Sequence, residues 1–382
     1  MRWTTYIEGG PRRVNHAAVC IGSKIYSFGG YCSTEEYKDW DPIPVHVLNT
    51  VTLRWKSLNY TKCATVVSLP FQRYGHTAVA YGDKVYMWGG RNNVVACDKL
   101  SCFDTNKLEW STPSVSGTVP YPKDGHSACI IKNKMYIFGG FEYIFDQYSN
   151  DVHCLDLDTM QWSYINTLGT PPSHRDFHTA VAYNERMYIY GGRGDMNNPY
   201  NSDQDIYCPL VYYLDTATET WVNVSARGTW PIGRRSHSAW IYKDHMYIFG
   251  GLNAKRKKHF NDLHRYSLKG NYWEKLTVQG VGPCQRRRQA CLNYKDKVYL
   301  FGGTSPCAQN NRPSNESDDS SERLIDNSDL HVLDYSPTLK TLCILAVLKY
   351  NLDQTSLPHD IIFDIMSMTL PNRISRPINQ SG

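Results

Sequence analysis

The sequence predicts an all-β fold: a six-bladed β-propeller closed by its own N-terminal strand and followed by a short helical segment. Three observations carry this reading. A segment ending in a glycine pair recurs six times along the 382 residues. Each repeat unit holds four strand-like stretches. The last unit lacks its fourth stretch, whose Trp reappears at the other end of the chain as Trp3.

The glycine pairs begin at Gly29, Gly89, Gly139, Gly191, Gly250 and Gly302, spaced by 50 to 60 residues. A His stands 13 residues before the first Gly in five units, as His16, His76, His126, His178 and His237; Gln289 takes that place in the sixth. A basic residue precedes each by three: Arg13, Arg73, Lys123, Arg175, Arg234 and Arg286. The stretch after the His (HTAVAY) reads as a first strand. A polar turn such as Gly82-Asp83 or Lys243-Asp244 reverses it, as a hairpin requires. The second strand (KVYMWGG) is aromatic and β-branched, which suits a pleated, buried surface. Third strands fall at 151–157 and 262–268, for example, and a turn leads to a fourth opened by Trp55, Trp110, Trp162, Trp221 or Trp273. Repeats of about 50 residues, each a four-stranded sheet, resemble the blades of a kelch-type propeller. Closing the ring with the Trp3 strand removes exposed sheet edges. The propeller is thus expected over 1–336, with 304–329 (Ser-, Asn- and Asp-rich) a disordered insertion in the last blade.

Composition excludes several classes. A net charge of +5 is too mild for a nucleic-acid binder. No apolar run approaches the roughly 20 residues that span a bilayer, and no signal peptide is expected. The 12 Cys are scattered without a CxxC pair, which fits a reduced cytoplasmic or nuclear chain and disfavours zinc. No cofactor or metal is expected.

The repeated His, Gly and Trp read as packing, since packing recurs from blade to blade and function rarely does. The five His are not taken as a metal cluster, because each belongs to a different blade. Function is sought where blades differ. The segments before each first strand and the loops after each Gly pair open on one face. They contribute Arg12-Arg13, Tyr74, Asp124, Asp176, Arg234-Arg235-Ser236 and Arg286-Arg287-Arg288, with Tyr31, Arg91, Phe141 and Arg193 from the loops. Arginines concentrate toward blades four to six. A guanidinium suits a carboxylate or phosphate, and Ser236 adds a hydroxyl. Asp124 and Asp176 suit a cation beside that anion. Inter-blade ion pairs are the plainer alternative. The basic run 255–258 reads as a solvated loop.

Beyond the propeller, Ser336-Pro337 reads as a helix start. Leu339, Leu342, Cys343, Ala346, Val347 and Tyr350 then share one helical face. A second start at Leu357-Pro358 puts Ile361, Ile362, Ile365 and Met368 together. The segment 337–368 is read as two docking helices and 369–382 as a flexible tail.

The stretch TLKTLCILAV resembles a BC box, the elongin C-binding pattern, through Thr338, Leu339, Cys343 and Val347. LPHDIIFDIM resembles a cullin 2 box through Leu357, Pro358, Ile361, Ile362 and Ile365. Following six repeats, the pair resembles the kelch-repeat substrate receptors of cullin 2 RING ubiquitin ligases, over essentially the whole chain. The resemblance implies partners (elongin B and C, cullin 2 and a RING subunit) and substrates with a C-terminal glycine degron, often preceded by Arg, Lys or Gln. It implies a binding protein, not an enzyme. The residues are compatible with that: a terminal carboxylate wants arginines and a hydroxyl, and a basic penultimate residue wants an acidic neighbour. By position after its Gly pair, Arg193 matches an arginine used by related receptors, and Arg235 and Ser236 fall near their other contacts. Arg287 and Arg91 are added from their place on the face. A non-catalytic scaffold is the alternative. A copper oxidase is a third reading, disfavoured because the His are dispersed. The chain itself ends in Gly382, so the tail is a candidate to occupy the pocket and favour self-association.

Overall fold

The computed structural model describes residues 1–58, 69–307 and 323–375. Six sheets share one plan. In the first, Ala17–Ile21, Lys24–Phe28, Val45–Asn49 and Arg54–Leu58 are hydrogen-bonded in chain order and antiparallel. The third repeats this with Ser127–Ile131, Lys134–Phe138, Val152–Asp156 and Gln161–Tyr164. The last uses Ala290–Tyr294, Lys297–Phe301 and Leu330–Asp334, and its fourth strand is Arg2–Ile7, with Trp3 opposite Leu333. The third to fifth sheets gain a short parallel strand that sequence reading did not foresee, such as Ser116–Gly117 beside Gln161–Trp162.

The apolar core lies between sheets. Tyr190 of the fourth sheet packs on Trp273 of the fifth, ring centroids 5.1 Å apart. Trp55 of the first packs on Phe301 of the last at 4.9 Å. Such aromatic pairs add to simple area burial. Innermost strands touch their neighbours in chain order, and the innermost strand of the last sheet touches that of the first.

A circle of backbone hydrogen bonds joins the inner ends. The amide of Gly75 donates to Asn15 O, Gly125 to Gly75 O, Phe177 to Gly125 O, Ser236 to Phe177 O and Arg288 to Ser236 O. The amide of Asn15 then donates to Arg288 O at 3.2 Å. All six residues have positive φ, between 49° and 69°. Glycine fits at two of them, and a Cβ on Gly75 would meet Asp124 Oδ2 at 2.9 Å.

The repeated basic residues are structural. Arg175, Arg234 and Arg286 are buried and donate to the first glycine carbonyl of their own pair (Gly191, Gly250 and Gly302) at 2.8–3.2 Å. Arg234 also pairs with Asp262 and Arg286 with Asp329. Arg286 outweighs burial and holds the Asp329 carboxyl well below its ordinary range. The His are structural too: His126, His178 and His237 bond through Nε2 to Thr77, Ser127 and Thr179 of the preceding sheet at 2.7–2.8 Å. Burial pushes His126 and His237 down to about 3, so both are neutral.

Two helices follow. The first, α1 (Leu339–Lys349), starts two residues later than Ser336-Pro337 suggests: Thr338 is the cap, its hydroxyl accepting from Thr341 N–H. The second, α2 (His359–Thr369), begins just after Pro358. Lys340 ties them together through Asp360 and Asp364 at 3.1 and 2.7 Å. Arg54 of the first sheet donates to the carbonyls of Met366, Ser367 and Leu370, capping the negative end of α2.

The tail expectation needs correction. Residues 369–375 are not free. The amides of Asn372 and Ile374 donate to Glu8 O and Gly9 O, and Ser375 Oγ donates to Gly10 O. Asn372 Oδ1 accepts from Trp55 N–H at 2.9 Å. The tail thus fills the seam between first and last sheets, beside the Trp strand, where Gly117, Gly169 and Gly228 lie against Trp carbonyls in other sheets. Residues 376–382, with Gly382, lie outside those described. At the ends of the segment read as an insertion, Thr304–Pro306 pairs with Leu324–Asp326; 308–322 lies outside the described residues.

Because Trp55 N–H is buried, Asn372→Ala leaves it without its acceptor. We expect a loss of about 1–3 kcal/mol, read as a lower urea midpoint. An unchanged midpoint would show that the seam contributes nothing to stability.

Candidate functional site

One face carries a cavity of about 680 Å³. Its floor includes Asn15, Phe177 and Arg288 of the backbone circle. Left-handed backbone costs a non-glycine residue about 1–2 kcal/mol. Phe177, Ser236 and Arg288 bear that cost where glycine serves elsewhere, which points to a use for their side chains.

The walls mix charge and aromatic surface. Asp124, Asp176 and Arg193 all line the cavity. Arg193 is bound to Asp176 in a fork, Nε to Oδ1 at 3.1 Å and Nη2 to Oδ2 at 2.5 Å. Asp176 comes from the segment before its first strand and Arg193 from the loop after its Gly pair, and backbone bonds hold the two at 2.9 Å. A guanidinium has five N–H groups, so this fork leaves some for a ligand. Burial, then the charge of Asp176, pushes the Asp124 carboxyl up to about 7. Arg91 stacks 4.1 Å over the Tyr143 ring, and Tyr143 lines the cavity. Arg288 donates to Tyr31 Oη at 2.6 Å.

Several expectations change here. Although the arginines concentrate toward sheets four to six, the cavity is lined mostly from sheets one to four, with Arg288 alone coming from the last. Arg235 and Arg287 do not line it; their backbones pair with Leu252 and Thr304 beside it, although the charge of Arg235 acts on Asp176. Ser236 faces a smaller axial cavity of about 150 Å³. Arg288, one residue beyond Arg287, reaches both cavities. Arg13 is engaged with Glu35 and Tyr37. Belonging to different sheets does not by itself keep the five His apart. The axis brings all five around the smaller cavity; four of them, His76, His126, His178 and His237, bond through Nε2 to the preceding sheet, and burial lowers the pKa of all five. Sequence reading did not single out Tyr143 or Phe177. A φ at a non-glycine position is not legible in sequence, so the signal for Phe177 was hidden.

Residues 75–303 match the KLHDC2/KLHL20/DRC7 kelch-repeats domain, and residues 12–62 match the kelch motif. The chain belongs to the kelch-repeat family. It is 50% identical to kelch domain-containing protein 3 of Bos taurus and of Homo sapiens, over 100% of this chain and 99% of theirs. Kelch domain-containing protein 2 of Bos taurus is 28% identical over 78% of this chain and 76% of its own. Host cell factor 2 of Homo sapiens is 28% identical over 65% of this chain and 33% of its own.

A second surface lies on α1 and α2, beyond the matched kelch repeats. Leu339 is 76% exposed, and Thr338, Leu342 and Cys343 are exposed as well. Val347 is half-buried. Ile344, on the opposite side of α1, is buried over the last sheet near Thr5 and Val332. On α2, Ile361 and Ile362 are half-buried, Leu357 is half-buried and Pro358 exposed. Ile365 is buried, so it serves internal packing in this chain. Phe363 and Met366 are the exposed apolar residues of α2, which the sequence reading passed over.

Proposed function

We propose that this kelch protein is the substrate-recognition subunit of a cullin 2–elongin B/C ubiquitin ligase, reading glycine C-termini in the cavity and performing no chemistry itself. We further infer that its six sheets form one closed six-bladed propeller; the hydrogen-bonded circle and the Arg2–Ile7 strand support this. The observation that carries the functional reading is the exposed apolar edge of α1, where Leu339 and Cys343 lie one turn apart on a helix seated through Ile344 and tied to α2 through Lys340. A monomer gains nothing by holding such an edge in water, and it fits a helix-in-groove contact. The eleven cysteines among the described residues form no disulfide with one another, which suits action in the cytoplasm or nucleus.

In this reading Arg193 and Arg288 take the terminal carboxylate, and Asp124 faces the penultimate side chain. Co-purification with elongin B, elongin C and cullin 2 tests the ligase role. Absence of a complex would leave an interaction scaffold, a reading that the likeness to host cell factor 2 favours. Peptide titration tests the pocket: amidating the terminus should abolish most of the affinity. It also has a pH signature. Asp124 ionises as pH rises through about 7, so a peptide ending Arg-Gly should bind up to about tenfold more tightly at pH 8 than at pH 6. A peptide ending Gln-Gly should show a flat profile. Equal pH slopes for the two would remove Asp124 from the site.

A further inference from the structure

The hairpin that follows the third Gly pair stands on the cavity rim. Its strands are Phe141–Glu142 and Gln147–Tyr148. Within its turn, Tyr143 and Asp146 line the cavity. Between them Ile144 is 64% exposed and Phe145 43% exposed. Two more rings extend this surface. Tyr121, also exposed, packs edge-on against Phe145 at 4.9 Å. Tyr200 is exposed and bridges through its backbone to Gln147 at the foot of the hairpin.

We propose that this rim is a binding site for an aromatic or branched aliphatic side chain of the substrate, several residues before its C-terminus. The proposal rests on the reading that the cavity takes a chain end. Its occupant follows from continuity. A peptide whose end lies at Arg193 and Arg288 must leave the cavity, and the turn that supplies part of the wall also supplies the apolar tip. Tyr143 and Asp146 would border the last residues, and Ile144, Phe145, Tyr121 and Tyr200 the upstream one. An aromatic side chain buried there removes apolar area from water on both partners, and edge-to-face contact with Phe145 or Tyr121 adds to this. Selectivity would thus extend beyond the terminal pair.

The test uses the full chain co-purified with elongin B and C, and fluorescent peptides ending in Arg-Gly. Each peptide carries one Phe, at the third to the eighth position from the end, in a Ser/Gly background. At least one position should bind roughly tenfold more tightly than the all-Ser/Gly peptide. The paired variant Ile144→Ser, Phe145→Ser should erase that gain and leave affinity for the background peptide unchanged. Both residues are exposed, so thermal unfolding should not move. A flat scan, or a preference that survives in the variant, overturns the proposal. So does a change of sedimentation in the variant with peptide preference intact, which would make the rim a contact between copies. The amidated background peptide keeps the two readings apart: if it binds as well as the free acid, the carboxylate pocket itself is wrong, whatever the scan shows.

Discussion

Cys343→Lys is expected to abolish co-purification with elongin B and C while leaving the urea midpoint of the chain unchanged. Cys343 is exposed, and in α1 only Ile344 is buried, so the new ammonium stays in water in the free protein. In an apolar interface it would cost several kcal/mol unless paired, and about 4 kcal/mol is roughly a thousandfold in affinity. Leu339→Ala should act in the same direction with less force, because it removes contact without burying charge. A complementary change, Ile344→Ala, should lower stability, since it opens a gap over the last sheet. Wild-type yield of elongin C with Cys343→Lys would refute the docking role of α1.

The sheets were legible because their signals repeat. Six glycine pairs, five His and five fourth-strand Trp fix both period and strand order, and Trp3 supplies the sixth Trp at the other terminus. The helices were legible from Leu339–Val347 and Ile361–Met368 periodicity. The site was only partly legible. Arg234 and Arg286 look like surface arginines in a basic run, yet their partners Asp262 and Asp329 stand 28 and 43 residues downstream. No local pattern announces such a pair. Within the run 286–288, Arg286 is buried against Gly302 and Asp329, whereas Arg288 lines both cavities. Arg288 lines the cavity and Arg287 does not, a difference that sequence does not announce because it goes with a positive φ at Arg288. The anchored tail was hidden for a similar reason: Asn372 acts on Trp55, 317 residues away.

Arg193→Ala is expected to harm both fold and binding, and a second substitution separates the two. Asp176 is 1% exposed and its carboxylate is held by the Arg193 fork. Removing Arg193 alone leaves a buried carboxylate without its partner, a loss of about 3–5 kcal/mol. Removing both charges is far milder, because the cost of desolvating the pair disappears with the pair. Arg193→Ala with Asp176→Ala should therefore regain most of the urea stability lost in the single variant. Binding should not follow stability. If Arg193 also holds a substrate carboxylate, the double variant is stable and still weak for a free-acid Arg-Gly peptide, by roughly 10- to 150-fold. Against the amidated peptide it should differ little from wild type, since that contact is already gone. A double variant that recovers stability and binds the free acid normally would confine Arg193 to holding Asp176, and the carboxylate would then fall to Arg288.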